Sequence, residues 1–505
     1  MLTVQDQDEV IAFLKAELSQ GDEVRTIATH ASLLFLTRDR VYKLKRAVRF
    51  AFLDFSTAEK RIECCRAEVA LNRRTAPGLY RGVRIVTRET HGRLMLDGAG
   101  VPVDALVEMN RFRDEDLLDA MARRNAITIP MATDLARRIA AFHKDAAICA
   151  THGGAVAMRH ILDMNADALL GSIFAPDAVA SLVADLEDAL TRHASLLDRR
   201  RQTGKVRRCH GDLTLRNICL LDGKPTPFDC LEFNEALASI DVLYDLAFLL
   251  MDLWHRDRRD LANVVFNRYF DDADETDGLS LLPFFMAVRA CIRAHVTATQ
   301  AEEAEPGRAG ALRDEAHAYF DLARTLLAPR LPFLVAVGGL SGSGKSTMAA
   351  AIAPALGPSP GARIVASDRI RKALHGVTAE TRLTQDAYRP AVSARVYALI
   401  CDHAHAALAT GHAVVADAVF DRAEDRLAIE AVARGRDVRF AGFWLEAPLD
   451  MRITRVIRRV DDPSDATPDV VHAQMAHDTG PISWPRIDAR NDFERTRAAI
   501  LTSLS

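Results

Sequence analysis

Two sets of residues in this chain are spaced for phosphate chemistry. In the run His210-Gly211-Asp212-Leu213-Thr214-Leu215-Arg216-Asn217, the loop carboxylate Asp212 can orient or deprotonate an acceptor hydroxyl. Asn217 can hold Mg²⁺ from the same loop, and Asp229, at the end of the next apolar run, can bridge that metal to phosphates. The second set is Gly339-Leu340-Ser341-Gly342-Ser343-Gly344-Lys345-Ser346-Thr347, which follows the pattern GxxxxGK[ST] between an apolar strand-like run and a helical one. Gly339, Gly342 and Gly344 let backbone N–H groups crowd around phosphate oxygens, and the helix that follows presents its positive end to the same anion. Lys345 is placed to reach the β and γ phosphates of ATP and Ser346 to ligate Mg²⁺, with Ser343 and Thr347 completing the nucleotide-binding run. Asp417, which ends the apolar run VVAD, is a further candidate metal ligand.

Beyond that loop, ASDRIRKAL puts Asp368 at the end of a strand-like run and Arg371 one helical turn later, so both can project toward the phosphates. A carboxylate there can take the proton of a substrate hydroxyl while the arginine holds a phosphate or acceptor group. Asp368 also suits a helix N-cap. Arg452, Arg455, Arg458 and Arg459 recur at helical spacing and share a face, which serves either as a lid over phosphates or as a solvated surface.

These groups need scaffolds of different kinds. Residues 26–45 alternate β-favouring segments around Thr37-Arg38-Asp39-Arg40, a hairpin; 56–74 reads as a helix, 83–86 with 93–96 as a second hairpin and 105–112 as a further strand. The pattern is helical from 114 to about 200, gives two strands around a loop between 206 and 233, and is helical again to about 328. Within that last stretch, 297–324 reads as a charged, exposed helix with a break at Glu305-Pro306-Gly307. From Leu331 onward short Val/Ile/Ala runs alternate with amphipathic helices, the mark of parallel βαβ units.

The HGDLTLRN segment with Asp229 resembles the aminoglycoside-phosphotransferase branch of the protein-kinase-like fold. The P-loop with Asp368 and Arg371 is similar to the small P-loop kinases of the polynucleotide 5′-kinase, zeta-toxin and gluconate-kinase type. Together these resemblances imply an α+β kinase-like bilobal domain over 1–328, followed by an α/β P-loop domain over 329–505 with a parallel sheet flanked by helices. The first implies a strand lysine for the nucleotide phosphates and a helix glutamate to hold it. VYKLK offers Lys43 and Lys45 on one strand face, with Glu68 as the best helical partner, and the sequence does not separate the two lysines. No GxGxxG precedes them. The same resemblance gives His210 a loop-shaping role and makes Asp241 and Asp245 structural anchors. The second resemblance implies that Arg455 and Arg458 close over the phosphates.

A chain of 505 residues exceeds what one core organises, which supports the division into modules. A formal net charge of -4 gives no global attraction to nucleic acid or anionic membrane. The eight cysteines lack CxxC spacing and read as reduced thiols of a cytoplasmic protein. The opening run reads as an amphipathic helix and not a signal peptide, and the apolar stretch 243–254 is broken by Asp245 and Asp252 and too short to span a bilayer. The expectation is a bifunctional phosphotransferase that uses ATP and Mg²⁺ on a small-molecule hydroxyl, with no membrane partner. Nucleic-acid ends are a second acceptor class if Arg369, Arg371, Lys372 and Arg382 line a basic channel. The alternative is an N-terminal domain that binds a nucleotide or ligand without catalysis and regulates the P-loop kinase.

Overall fold

A computed structural model describes residues 4–19, 24–50, 53–459, 462–476, 478–490 and 492–504. The chain forms two compact units, Met1–Asp163 with Leu190–Asp252, and Met164–Ala189 with Leu253–Ser505.

In the first unit, a six-stranded antiparallel sheet runs in the order Arg25–Ala28, Ser32–Leu36, Arg40–Lys45, Val101–Asn110, Tyr80–Arg88, Leu94–Leu96. Strand alternation sends Phe35, Leu44, Val86 and Leu106 to one face, where they pack with Val10 and Leu14 of the helix Val4–Ser19. It sends Ala105, Val107 and Met109 to the other, against Cys65 and Val69 of the helix Ala58–Asn72. That helix starts where the Thr57 hydroxyl accepts the Lys60 N–H. Arg61 then clamps it to the sheet, donating from Nε and Nη2 to both oxygens of Asp104 at 2.9 Å, with each side chain only 1% exposed. The clamp fixes the register of the helix that carries Glu68. In the rest of this unit Val206–Arg208 pairs with Ser239–Asp241. A hairpin joins Ile218–Leu221 to Lys224–Pro227 through Asp222 and Gly223, both at positive φ as a tight hairpin turn requires.

In the second unit a five-stranded, all-parallel sheet runs in the order Arg363–Ala366, Val414–Asp417, Phe333–Gly338, Arg439–Glu446, Arg486–Asp488. Its central strand is covered on both faces, so LVAV can be apolar without alternation. The run expected as a charged, exposed helix with a break at 305–307 is two helices that part there, Leu282–Glu303 and Pro306–Leu327, but each has a buried face. Ala298, Ala301, Ala309, Ala316 and Ala323 are all buried, because small side chains let packed helices approach closely while the charges point outward. Helix 276–303 has the length and hydropathy to cross a membrane, yet Leu281, Leu282, Phe284 and Phe285 are buried in the protein, which makes it a core helix.

His412 sits in this core, with Nε2 2.9 Å from the Gly361 carbonyl oxygen and its ring against Phe266. Its Nδ1 is buried with no partner among the described residues, so a second ring proton has no acceptor among them. Burial lowers its pKa to about 4, and His295 is lowered to about 4 for the same reason. The unfolded chain therefore binds these protons more tightly. The stability the neutral rings contribute is complete above about pH 6.5, the free-histidine value, and is lost as pH falls through the folded value. Urea midpoints measured between these limits should fall with acid, and His412→Gln should flatten that slope.

Candidate active sites

Lys43 and Lys45 project to the same side of their strand, with Glu68 of the facing helix between them. Lys43 Nζ lies 2.9 Å from Glu68 Oε1 and 2.5 Å from Asp229 Oδ1, whereas Lys45 Nζ pairs with the other Glu68 oxygen and with Glu232. Exposure separates the two lysines that spacing could not. The Lys43 and Asp229 side chains are 13% and 39% exposed, while Lys45 is sealed at 2% beside the Phe55 ring. Lys43 thus faces the open side of the site and Lys45 its interior.

Burial would depress both ammonium groups. Asp229, Glu68 and Glu232 outweigh burial at Lys43, and Glu68 and Glu232 do so at Lys45, so both pKa values rise. Three carboxylates face two ammonium groups, and the excess falls on Glu232: burial, then Glu68 and Asp229, raise its pKa against the pull of the lysines. Sequence reasoning missed Glu232; its signal was a second carboxylate on the segment that carries Asp229.

Asp229 sits in left-handed backbone at φ 63. Its N–H donates to the Tyr80 hydroxyl at 3.1 Å and the next N–H, of Cys230, to Asn72 Oδ1 at 2.7 Å, which hold the turn with the carboxylate at Lys43. The Asp212 loop is tied down from several sides. Asp245 accepts the N–H groups of His210 and Gly211 and the His143 Nε2, and Asp252 accepts the N–H of Leu215. His210 Nε2 lies 2.9 Å from the Phe228 carbonyl, next to Asp229. Asn217 Nδ2 donates to the carbonyl and carboxylate of Asp212 at 2.9 and 2.8 Å. Asp241 stands apart from the loop, its two oxygens accepting from Nε and Nη2 of Arg200. The amide and carboxylate oxygens of Asn217, Asp212 and Asp229 are hard donors of the kind Mg²⁺ takes.

In the second unit, the loop 339–344 leaves the end of the middle strand and Lys345 opens the helix Lys345–Ile352. Gly339, Gly342 and Gly344 all have positive φ, and a Cβ on Gly342 would lie 2.5 Å from the Arg452 carbonyl. Lys345 is 7% exposed, whereas Ser346 and Thr347 are exposed. Beside them, Asp417 is 5% exposed and its Oδ1 has no hydrogen-bond partner among the described residues. Burial raises its carboxyl above the usual range, while Lys345 and a hydrogen bond from Ser346 act the other way. An orphaned carboxylate oxygen next to a serine hydroxyl fits a hard dication.

Arg452 and Arg455 support this loop through its carbonyls. Arg452 Nε donates to the Ser341 carbonyl at 2.8 Å, and Arg455 donates to those of Ser343 at 3.0 Å and Ala489 at 2.9 Å. This corrects the expected lid: Arg455 braces the loop because carbonyls of a tight turn need donors, while Arg458 is exposed. The helix Ser367–Leu374 begins after Ala366 with no side-chain cap, so Asp368, half-buried in its first turn, is not the N-cap. Arg371 donates to the Ala387 carbonyl at 2.7 Å and lies over the Tyr388 ring. Lys372 is 1% exposed and pairs with Asp465, which also accepts from Tyr388 and Leu383. A cleft of about 530 Å³ opens beside the loop, with Leu340, Ser343, Trp444, Glu446 and Arg490 in its lining.

Residues 103–281 match the family described as "Phosphotransferase enzyme family", and residues 334–481 match that described as "AAA domain". The chain is a fusion of a phosphotransferase-family domain and a P-loop domain. The two matches support a phosphotransfer function of kinase type. The chain is similar over nearly its whole length to Rv2004c of Mycobacterium tuberculosis, described as an uncharacterized protein, with 28% identity over 480 residues and 93% of each chain covered. Among solved structures, a gluconokinase from Sinorhizobium meliloti covers 35% of this chain and 94% of its own at 24% identity and a TM-score of 0.25. A choline/ethanolamine kinase family protein from Mesorhizobium loti covers 64% and 98% at 13% identity and a TM-score of 0.38.

Proposed function

We propose that both domains of the fusion catalyse phosphoryl transfer from ATP to a hydroxyl, and that the P-loop domain acts on a small molecule. The observation that carries this reading is one of register. Ala366, Asp417 and Val337 lie side by side on adjacent parallel strands, so Asp368, Asp417 and the phosphate loop share one end of the sheet. Asp368 takes the acceptor proton as the hydroxyl oxygen attacks the γ-phosphorus; the new O–P bond forms as the bond to the β-phosphate oxygen breaks and ADP leaves. Lys345, the loop N–H groups and Arg371 offset the charge on the transferring group. Ser346 and Asp417 would hold Mg²⁺, which would neutralise the β and γ phosphates when bound.

In the phosphotransferase-family domain Lys43, oriented by Glu68, holds the α and β phosphates, and Asn217 and Asp229 would hold Mg²⁺. Asp212 orients the acceptor hydroxyl. A boundary near 329 between the catalytic modules belongs to this reading. The burial of Arg371 and Lys372, and the pairing of Arg369 with Asp271 at 3.3 Å, favour a small acceptor, since only Arg382 of the four basic residues is exposed.

The regulatory reading of the first domain draws support from the short link Thr29-His30-Ala31 between its first strands, which carries no glycine to wrap phosphates. A transfer screen with γ-labelled ATP over sugars, nucleosides, aminoglycosides and oligonucleotides decides between them. Wild type should label an acceptor that Asp212→Ala, with the P-loop intact, labels at least about 100-fold more slowly. If Asp212→Ala loses no product on any acceptor, the first domain is a binding module.

A further inference from the structure

The helix Arg259–Asp272 falls inside the phosphotransferase-family match, yet it packs along the open edge of the P-loop sheet, within the second unit. Asn263, Asn267 and Asp271 stand four residues apart and so form one stripe on it. Asn267 Oδ1 accepts the Ile364 N–H at 2.7 Å, and its Nδ2, with that of Asn263, donates to the Ala362 carbonyl. Both asparagines are buried, and they satisfy backbone groups that an edge strand otherwise leaves open. Asp271 completes the stripe. Its carboxylate lies 2.7 Å from Arg363, 2.7 Å from Arg268 and 3.3 Å from Arg369. Arg363 begins the edge strand and Arg369 follows Asp368 directly, so this one carboxylate staples both sides of the strand-to-helix turn that carries Asp368.

We propose that Asp271 is a positioning residue for Asp368, acting through Arg363 and Arg369. The inference rests on the reading of Asp368 as the base. Without Asp271, Arg363 and Arg369 lose the carboxylate that ties both sides of the turn to the helix, and the turn is freed from the element that supports it. A displacement of about 1 Å at a catalytic group costs on the order of 100-fold in turnover.

The test uses the full chain and ATP hydrolysis to inorganic phosphate, counting only the part that Lys345→Ala abolishes, together with the KM for ATP and hydrogen exchange across 363–374. Asp271→Asn should lower kcat about ten- to a hundredfold, leave the KM for ATP within about twofold, and speed exchange in the 363–369 turn, and Asp271→Glu should recover part of the rate. If Asp271→Asn does not fold, Arg369→Gln must reproduce the loss of kcat at constant KM. Unchanged kcat and exchange in Asp271→Asn, alongside a clear loss in Asp368→Asn, would overturn the positioning role and leave the P-loop reading standing. Wild-type kcat in Asp368→Asn would overturn both.

Discussion

Lys345→Ala should reduce phosphoryl transfer at the P-loop site by about 100- to 1,000-fold, the loss seen when one preorganised charge donor is removed from a transition state. The side chain has the position for this. It leads off the helix after a loop with three positive-φ glycines, is nearly enclosed, and acts electrostatically on Asp417. Stability should change little, because Lys345 makes no hydrogen bond or ion pair among the described residues. Asp417 should become still easier to protonate, since Lys345 now works against the burial that raises it. The measurement is single-turnover transfer from γ-labelled ATP, with Lys43→Ala in the background to silence the first site. Wild-type rates in that double variant would take the P-loop out of the chemistry.

The two strand lysines should part in opposite directions. Lys45→Ala leaves Glu68 and Glu232 buried against each other with one fewer cation, and breaking a buried ion pair from one side costs about 3–5 kcal/mol. Lys43→Ala removes a partly exposed ammonium and should cost far less stability, while abolishing the grip on nucleotide in the first domain. Urea unfolding and nucleotide binding, measured on both variants, give a crossed pattern. Equal stability losses would mean that the interior pair is not what holds the strand to the helix.

How far the sequence could be read depended on what each feature rests on. The P-loop was legible because GxxxxGK[ST], the strand before it and the helix after it are all local in sequence. The lobe around Lys43 was legible from strand alternation and a helical stretch at 56–74. Exposure is another matter: Lys43 and Lys45 have the same type, strand and face, and only the packing of Phe55 and Glu232 across the chain makes one interior. The arginines at 452 and 455 misled for a related reason. Helical spacing shows that they share a face, but the phosphate-loop carbonyls they meet, of Ser341 and Ser343, belong to residues more than 100 positions away, which no local pattern reveals. The alanine stripe in 298–323 was hidden by composition, since charges counted over the whole run say nothing of the face they occupy.

The bracing of the phosphate loop has a bearing on how the protein is made. Ser341 donates its N–H to Gln474, Arg452 holds the Ser341 carbonyl, and Arg455 links Ser343 to Ala489. The loop is synthesised before these supports, the last of which is Ala489. A nascent chain halted before Gln474 would carry the complete GxxxxGK[ST] signature and still lack the walls of its cradle. Competence to bind ATP at this site therefore arrives as a late event of translation.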